Sequence, residues 1–476
     1  MTGFGPAAKY RKIDNEGSPG NQVTSVRRPS YTGIVLLSVG TIVLGLASAH
    51  FFLYGPVAIN WSATHQMIDG FGGSATGYTG TFSSAQADEF FSPVSGLGLS
   101  LLKVELIPDT VDADCGCVAN NTPYTCALGS QSQMVSGDMQ VAKLASQRGV
   151  RVFAGPWSPP AEMKSSGSYC SAGSMTGSSA NYTSYAAALA SFPALLKANG
   201  LSIYAISVQN EPNATDPHYD TCTWTAQQIH DFIPYLSSAL KASGFGNIKI
   251  AIPEQSTWDF RMMRASMSDP AVAADVGLIF GHAYGVEKPS KIPSTNGLPV
   301  WQTEVSGFKS YDGSMADALM WARYIHNYMN IGVNAWMYWN LDCGAAYFNH
   351  GDNMCLTDQS GKFAKRAYVL GQYAKFIRPG WQRVHVRNRS SLLVTAYKGP
   401  ENKFAVVAIN KSIREASNQT FILNGIKSEH SQITPWLTSE SASLAAQSPV
   451  SLSSNGTIIT YTIPANSVVT FQGQKD

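Results

Sequence analysis

Between residues 67 and 371, segments with helical hydrophobic spacing alternate with short apolar segments. Met139–Arg148 has the helical spacing, Gly149 ends it, and the apolar stretch Val150–Phe153 follows. The same order recurs at two further places: 185–199 before 203–208, and 315–328 before 333–339. Helices that alternate with short buried strands are typical of βαβ units, which build a parallel sheet. A region of this length suits eight such units, so the pattern predicts an α/β fold, a (β/α)8 TIM barrel over 67–371.

A different pattern follows the predicted barrel. Beyond Arg383 no long helical period occurs, and short segments with alternating apolar residues are separated by turn residues. These segments lie at 392–396, 404–409, 420–423, 458–463 and 467–471. Such spacing predicts a C-terminal antiparallel β-sandwich over 372–476, fused to the barrel. The segment 57–66, which precedes the barrel, is expected to add a strand to this sandwich.

The first 54 residues have the pattern of an export segment. Residues 1–30 are polar and basic, and 31–54 are almost wholly apolar, with no Asp, Glu, Lys or Arg from Gly33 to Tyr54. Two interpretations stay open. Ala47-Ser48-Ala49 resembles the cleavage site of a signal peptide, and the apolar segment is also long enough to be a single transmembrane anchor. Both interpretations predict an extracytoplasmic protein, either secreted or attached to a membrane.

Composition agrees with export and limits the partners. Only 13% of the residues are charged and the net charge is +2, so we expect no nucleic-acid surface. The seven cysteines suit an oxidising compartment. Cys343 and Cys355 flank one short segment and are candidates for a disulfide, whereas the pairing of the others is open. The sequence has no evident metal-ligand cluster or nucleotide loop, so we expect no metal and no cofactor, and we expect a monomer.

Two glutamates directly follow predicted strands. Glu211 comes after Ile203–Gln209, and Glu304 comes after Pro299–Thr303. The interval between them corresponds to three βα units, which places both at the same face of a barrel and on opposite sides of its mouth. Glycoside hydrolysis uses two carboxyl groups in this way. One protonates the leaving oxygen, and the other attacks the anomeric carbon or activates water.

Five motifs, in this order along the chain, resemble those of glycoside hydrolase family 30. They are Asp69-Gly70-Phe71-Gly72-Gly73, the stretch 156–164 (PWSPPAEMK), the stretch 206–212 (ISVQNEP), Trp301-Gln302-Thr303-Glu304 and the stretch 371–380 (GQYAKFIRPG). The resemblance extends from about residue 57 to the C-terminus. It implies that Glu211 is the general acid/base, that Glu304 is the nucleophile, and that a polysaccharide or glycoconjugate is hydrolysed with retention of configuration.

Six further residues are expected to bind substrate or to support the two glutamates. Asn210 is placed beside the acid/base to bond a sugar 2-hydroxyl. Tyr284, which shares a strand face with His282, is placed to donate to the nucleophile. Two tryptophans near strand ends are candidate sugar platforms. The set comprises Asn210, His282, Tyr284, Trp157, Trp339 and Lys103; weaker candidates are Trp224, Trp258 and Trp301.

Two positions depart from the family pattern. Lys103 stands where relatives commonly have arginine, and lysine lacks the bidentate fork, so its contact with the nucleophile is open. The stretch 338–344 holds no arginine, whereas the bacterial glucuronoxylanase branch uses one after the eighth strand to bind glucuronate. Dependence on glucuronate is therefore not expected. The stretch Asp220–Thr225 nevertheless looks more like the xylanase side of the family.

The substrate stays open among several β-linked glycans. Xylan-type polysaccharide is favoured, and the alternatives are β-1,6-linked glucan or galactan and glucosylceramide-like β-glucosides, with endo or exo action. An alternative of a different class is a catalytically inactive carbohydrate-binding or surface-anchored protein. Substitution of Glu304 by glutamine separates these hypotheses, because only the enzyme would lose hydrolysis while it keeps ligand binding.

Overall fold

The computed structural model describes most of the chain beyond residue 53. The described residues are 54–76, 79–106, 116–119, 122–125, 139–169, 172–216, 219–342, 352–425, 432–454 and 456–473. The predicted basic tail, and the predicted signal or anchor apart from Tyr54, lie outside this part. No helix within it is apolar and long enough to span a bilayer.

The described strands are numbered in chain order. They are β1 (Tyr54–Met67), β2 (Gly70–Ser74), β3 (Leu101–Leu106), β4 (Gly116–Ala119), β5 (Thr122–Thr125), β6 (Arg151–Pro156), β7 (Ile203–Ser207), β8 (Lys249–Gln255), β9 (Val276–His282), β10 (Val300–Glu304), β11 (Gly307–Ser310), β12 (Ala335–Tyr338), β13 (Asp352–Asn353), β14 (Gln382–Ser390), β15 (Leu393–Lys398), β16 (Phe404–Asn410), β17 (Ala416–Asn424), β18 (Gln432–Thr438), β19 (Ala445–Ala446), β20 (Val450–Ser451), β21 (Ile458–Ile463) and β22 (Ser467–Gly473).

The described helices follow the strands of the barrel, with one more before the C-terminal sheet. They are α1 (Ser84–Phe91), α2 (139–146), α3 (Ser179–Ala198), α4 (Ala226–Ala242), α5 (Arg264–Ser268), α6 (Pro270–Ala273), α7 (Met315–Asn330) and α8 (Lys365–Ala374), with 3₁₀ turns at Ala161–Met163 and Arg261–Met263. The capping box that the sequence indicates at Thr225 and Gln228 is confirmed at the start of α4. α3 begins earlier than its apolar spacing indicates, because Ser178 caps it by accepting from the Asn181 amide.

Eight parallel strands close the predicted barrel. The order around it is β2, β3, β6, β7, β8, β9, β10 and β12, and β12 pairs with β2 to complete the ring. This confirms the (β/α)8 fold. Side chains alternate between the two faces of each strand, so every second residue points into the barrel. At the amino end of the strands the interior is filled by apolar side chains from seven strands: Leu101, Phe153, Ala205, Ala251, Leu278, Phe280, Trp301, Ala335 and Met337.

The C-terminal strands form one mixed, mostly antiparallel sheet that curls around its own core. Its path is β19, β18, β22, β16, β15, β14, β1, β17 and β21, with β20 paired to β18. The predicted C-terminal β domain is confirmed, with one difference from a purely antiparallel arrangement. β1 enters from the amino-terminal side of the barrel, pairs antiparallel with β14, and pairs parallel with β17.

Helix α8 links the barrel to the C-terminal sheet. The Gln372 side chain donates to Thr438 Oγ1 at 2.9 Å, and Thr470 Oγ1 donates to the Gln372 carbonyl oxygen at 2.8 Å. The boundary drawn at 371/372 falls inside this helix, and the first strand of the sheet after it begins at Gln382. A helix that packs on both parts belongs to both cores, and the change of pattern beyond Arg383 coincides with the first strand of the sheet instead.

Among the cysteines, Cys222 is buried and has a free thiol. Cys355 is also buried. The side chains of the other five lie outside the described residues, so the pairing that the sequence suggests for Cys343 stays a prediction.

Candidate active site

Glu211 and Glu304 lie at the carboxyl ends of two barrel strands. Glu304 is the last residue of β10, and Glu211 follows the end of β7 by four residues. The two strands are three steps apart around the barrel, as the sequence spacing indicates. The Glu211 amide donates to the carbonyl oxygen of Glu254 at 3.0 Å, which ties the segment after β7 to the neighbouring strand β8. Glu211 itself has a φ of 46°, in the left-handed region.

The two carboxylates face each other beside His282. Its Nδ1 lies 3.0 Å from Oε1 of Glu211 and 3.5 Å from Oε1 of Glu304. This nitrogen and one oxygen of each carboxylate all lie within 4.8 Å of one another. Carboxyl groups about 5–5.5 Å apart are typical of retaining glycosidases, whereas inverting enzymes need about 6.5–9.5 Å to admit a water. The observed spacing fits direct attack by one carboxylate on a sugar that the other protonates.

Glu304 accepts hydrogen bonds at both carboxylate oxygens. The Tyr284 hydroxyl donates to Oε1 at 2.9 Å, and Lys103 Nζ donates to Oε2 at 2.8 Å. The residue is 4% exposed, so little water competes with these donors. Both contacts hold the carboxylate in place. Tyr284 lies two residues beyond the end of β9 and makes the contact with Glu304 that the sequence predicts.

Lys103 donates to three acceptors from the centre of the site. Besides Glu304, its Nζ lies 2.8 Å from Oε1 of Glu254 and 2.7 Å from Oδ1 of Asn210, and the Trp157 ring covers it at 4.7 Å. Burial disfavours the charge, but the two carboxylates outweigh burial and hold the pKa of Lys103 above its ordinary value. Lysine therefore makes the contact with Glu304 that the loss of the arginine fork left open.

Glu211 has a different set of neighbours from Glu304. The Tyr219 hydroxyl donates to its Oε2 at 2.5 Å, and His282 contacts its Oε1. Burial acts to raise the pKa of Glu211, but the hydrogen bonds from His282 and Tyr219 and the charge of His282 hold it below its ordinary value. Burial also opposes protonation of His282, yet the surrounding carboxylates, Glu304 first among them, raise the pKa of His282 to about 9.

Two residues of this cluster were missed in the sequence. Glu254, at the end of β8, is fully buried and accepts from Lys103, from Thr303 Oγ1 at 3.0 Å and, at 3.5 Å, from His282 Nε2. Burial would raise the pKa of Glu254, but Lys103 and His282 lower it to about 2. A glutamate at a strand end is the signal that identified Glu304, so Glu254 was detectable. Tyr219 lies in an irregular segment, where no pattern marks it.

The tryptophans fall into two groups. Trp157 and Trp339 lie beside the charged cluster with ring centroids 5.9 Å apart, and each is 6% exposed. They pack with Met354 and Cys355, and with the partly buried Tyr219 and Tyr311. The three weaker candidates are core residues: Trp224 and Trp258 belong to the main hydrophobic core, and Trp301 fills the opposite end of the barrel. Only the first pair borders the site.

The donor atoms of Glu211, His282 and Glu304 are close enough together to be tested as a metal site. The ammonium of Lys103 lies 2.8 Å from Glu304, and the pKa of His282 near 9 keeps its ring protonated at neutral pH. A metal ligand has to be a neutral imidazole, and a second cation would be repelled by Lys103. The charge arrangement of this cluster therefore suits proton transfer better than a divalent cation.

Comparison with known proteins identifies the family. The model described as the glycosyl hydrolase family 30 TIM-barrel domain matches residues 131–349. Over 457 residues the chain is 30% identical to glucuronoxylanase XynC of Bacillus subtilis (strain 168), which covers 92% of this chain and 96% of that protein.

Solved structures agree along the same length. The family 30 subfamily 8 xylanase Xyn30A from Clostridium acetobutylicum is 31% identical, with a TM-score of 0.73, and the match covers 88% of this chain and 100% of that chain. A family 30 endoxylanase from Clostridium papyrosolvens C71 is 30% identical, with a TM-score of 0.71 and the same coverage. The barrel, the paired glutamates and these near full-length matches lead to one conclusion: the chain belongs to glycosyl hydrolase family 30 and is a glycosidase.

Proposed function

We propose that this glycosidase is a retaining xylanase that cleaves β-1,4-linked xylan by double displacement. The observation that carries the proposal is the pair of carboxylates, Glu211 and Glu304, whose facing oxygens lie within 4.8 Å beside His282. The similar proteins named as xylanases support the choice of substrate.

The first step uses the two glutamates in opposite roles. A Glu304 oxygen attacks the anomeric carbon and forms a glycosyl ester, while the glycosidic bond breaks and its oxygen takes a proton from Glu211. In the second step Glu211 removes a proton from water, the water oxygen attacks the same carbon, and Glu304 leaves as a carboxylate. Two inversions at one carbon give net retention.

The proton for the first step is available at His282. In the free site the pKa of Glu211 is lowered and that of His282 is raised to about 9, so the proton resides on the imidazole. The contact between His282 Nδ1 and Glu211 Oε1 spans 3.0 Å, which is hydrogen-bond distance. A sugar that displaces water from the site raises the cost of the separated charges, and transfer of this proton to Glu211 neutralises both groups.

Asn210 is placed for the sugar that reacts. Its Oδ1 accepts from Lys103, so the amide NH₂ is the group directed to a sugar hydroxyl. A hydrogen bond to the 2-hydroxyl strengthens as oxocarbenium character develops in the transition state. Lys103 thereby orients both the nucleophile and the residue beside the acid/base.

Hydrolysis of defined β-glycans tests the proposal. The purified protein is incubated with β-1,4-xylan with and without glucuronate side groups, with β-1,6-glucan and with glucosylceramide, and the anomer formed first is followed by NMR. We expect β-configured xylo-oligosaccharides from both xylans, equal activity in a metal chelator, and no hydrolysis by the Glu304→Gln variant.

Glu304→Gln is the matched control because it keeps the shape of the side chain and removes only the nucleophilic charge. Product that first appears in the α-configuration would refute the double displacement. Hydrolysis of β-1,6-glucan or glucosylceramide, with no hydrolysis of xylan, would refute xylan as the substrate. Hydrolysis only of glucuronate-bearing xylan would show that another residue replaces the missing arginine.

A further inference from the structure

Phe308 is the most exposed aromatic side chain in the described part of the chain, with 67% of its surface open. A single exposed apolar residue is ordinary on a protein surface and by itself indicates nothing. Its position distinguishes Phe308 from the other exposed apolar residues. The strand that carries it, β11, begins three residues after Glu304.

The Phe308 ring is one aromatic ring away from the nucleophile. It stacks on Tyr284 with a centroid distance of 5.2 Å and an interplanar angle of 27°. The hydroxyl of Tyr284 donates to Glu304 Oε1 at 2.9 Å. With one face against Tyr284, the open surface of Phe308 lies on its other face and edge, at the mouth of the site.

The two-stranded sheet that presents Phe308, β11 with β13, has a fixed base. Gly307 pairs with Asn353 across β11 and β13, and a side chain at Gly307 would meet the Asn353 Cβ at 3.1 Å. Asn353 in turn accepts from Arg366 at 3.0 Å and donates to Asp317 at 2.9 Å. Arg366 is 1% exposed.

A buried, charge-assisted base of this kind holds the β11–β13 pair in one geometry. The exposed ring is therefore held at the mouth of the site as a fixed surface.

We propose that Phe308 is a stacking platform for a distal sugar of an extended polysaccharide chain bound across the active site. The inference rests on the proposed function, because the occupant is the part of the xylan chain beyond the reacting sugar. Aromatic rings offer a large apolar face at low conformational cost, which suits the C–H face of a neutral pyranose. A platform beyond the reacting sugar strengthens the binding of long chains and leaves the binding of short substrates unchanged.

Kinetics with a long and a short substrate test the platform. The Phe308→Ala variant is compared with the wild type on xylohexaose and on an aryl β-xyloside. The single sugar of the aryl xyloside occupies only the reacting position. We expect KM for xylohexaose to rise roughly three- to tenfold, which is the loss of one aromatic contact. The kinetic constants for the aryl xyloside stay unchanged, and Phe308→Trp restores KM for xylohexaose.

The matched control is Ile413→Ala, which removes another exposed apolar side chain (85% exposed) from the C-terminal sheet region. Ile413→Ala should leave the kinetic constants for both substrates unchanged. An equal loss on both substrates by Phe308→Ala, with an unchanged melting temperature, would mean that the ring only supports Tyr284. Unchanged kinetics on both substrates would also overturn the platform.

Failure of the proposed function is distinguishable from failure of the platform. The proposed xylanase activity is refuted if the wild-type enzyme cleaves another β-glycan but leaves xylohexaose and the aryl xyloside intact. The same long-against-short comparison with that glycan then decides about Phe308, with the outcomes read in the same way.

Discussion

The two ends of the barrel interior are built on the same strands with opposite chemistry. On β3, Leu101 is part of the apolar filling, and Lys103, two residues further, joins the charged site. On β9, Phe280 packs at 5.3 Å on the Trp301 ring, and His282 contacts both glutamates. Each pair shares one strand face, because side chains alternate with a period of two.

The difference shows how stability and chemistry are separated along a strand. The amino end is filled by aromatic and aliphatic side chains, which stabilise the fold by burial of apolar surface. The carboxyl end collects one lysine, one histidine and three buried glutamates, whose desolvation is unfavourable and which are held by mutual hydrogen bonds. Substitutions at the apolar end should therefore affect stability alone, whereas substitutions at the charged end should affect catalysis as well, and three experiments examine this difference.

The largest expected effect is on stability, from Trp301→Ala at the apolar end. Trp301 is fully buried, and its Nε1 donates to Asp69 at 2.7 Å. The cavity should lower the free energy of unfolding by about 3–5 kcal/mol, measured by urea denaturation. KM on xylan at low temperature should stay unchanged, since no part of the charged site is touched.

Trp301→Phe is the control for this experiment. It keeps an aromatic ring against Phe280 and should lose less stability than the alanine variant. A Trp301→Ala protein that is as stable as the wild type but inactive would break the comparison, because it would place chemistry at the apolar end.

An intermediate effect is expected on catalysis, from Glu254→Gln at the charged end. The variant keeps the shape of the side chain but removes the charge that holds Lys103 and His282. The loss of one charged hydrogen bond, about 1.5–3 kcal/mol, should lower kcat roughly ten- to hundredfold. The midpoint of unfolding should fall as well, because Lys103 and His282 lower the pKa of Glu254 and would lose one buried carboxylate partner.

The control is Glu287→Gln, which removes a partly exposed carboxylate paired with Arg323 on the outside of the barrel. Its activity should match the wild type. A Glu254→Gln enzyme with full activity would show that Lys103 and His282 keep their positions without this carboxylate.

The third expected effect is a pH dependence of stability at His282. Its folded pKa, about 9, lies above its ordinary value of 6.5, so the folded state binds the proton more tightly. The stabilising contribution is complete below pH 6.5 and disappears as the pH rises to about 9. The difference in the free energy of unfolding between wild type and His282→Gln should therefore shrink across this interval.

His326 on α7 is a control of opposite sign. Burial lowers the pKa of His326 to about 4, so the folded state binds its proton less tightly than the unfolded chain. His326 should therefore destabilise the folded state increasingly as the pH falls from 6.5 to 4. The His326→Gln variant should not show this loss of stability. Equal pH dependence in wild type and His282→Gln would contradict the protonated imidazole.

Local patterns in the sequence were sufficient for the alternation of helices and strands, for the cap at Thr225, and for placing Glu211 and Glu304 three strands apart. Helical spacing, glycine stops and apolar runs depend on neighbours in the chain, so they can be read without the fold. The same patterns made Trp301 a weaker candidate than Trp157 but did not show where either ring lies. Both follow apolar runs, yet Trp301 fills the apolar end of the barrel interior and Trp157 covers Lys103.

The sequence by itself determined the alternation of the elements and the position of the two glutamates at strand ends. Only the tertiary structure decided which side chains meet them. Lys103 donates to Glu304 across 201 residues of sequence, and Glu254 and His282 join the cluster because closure of the barrel brings four strand ends around one point. Such contacts depend on register and closure, which no local pattern records, and they set the charges, the proton position and the exposed ring at Phe308.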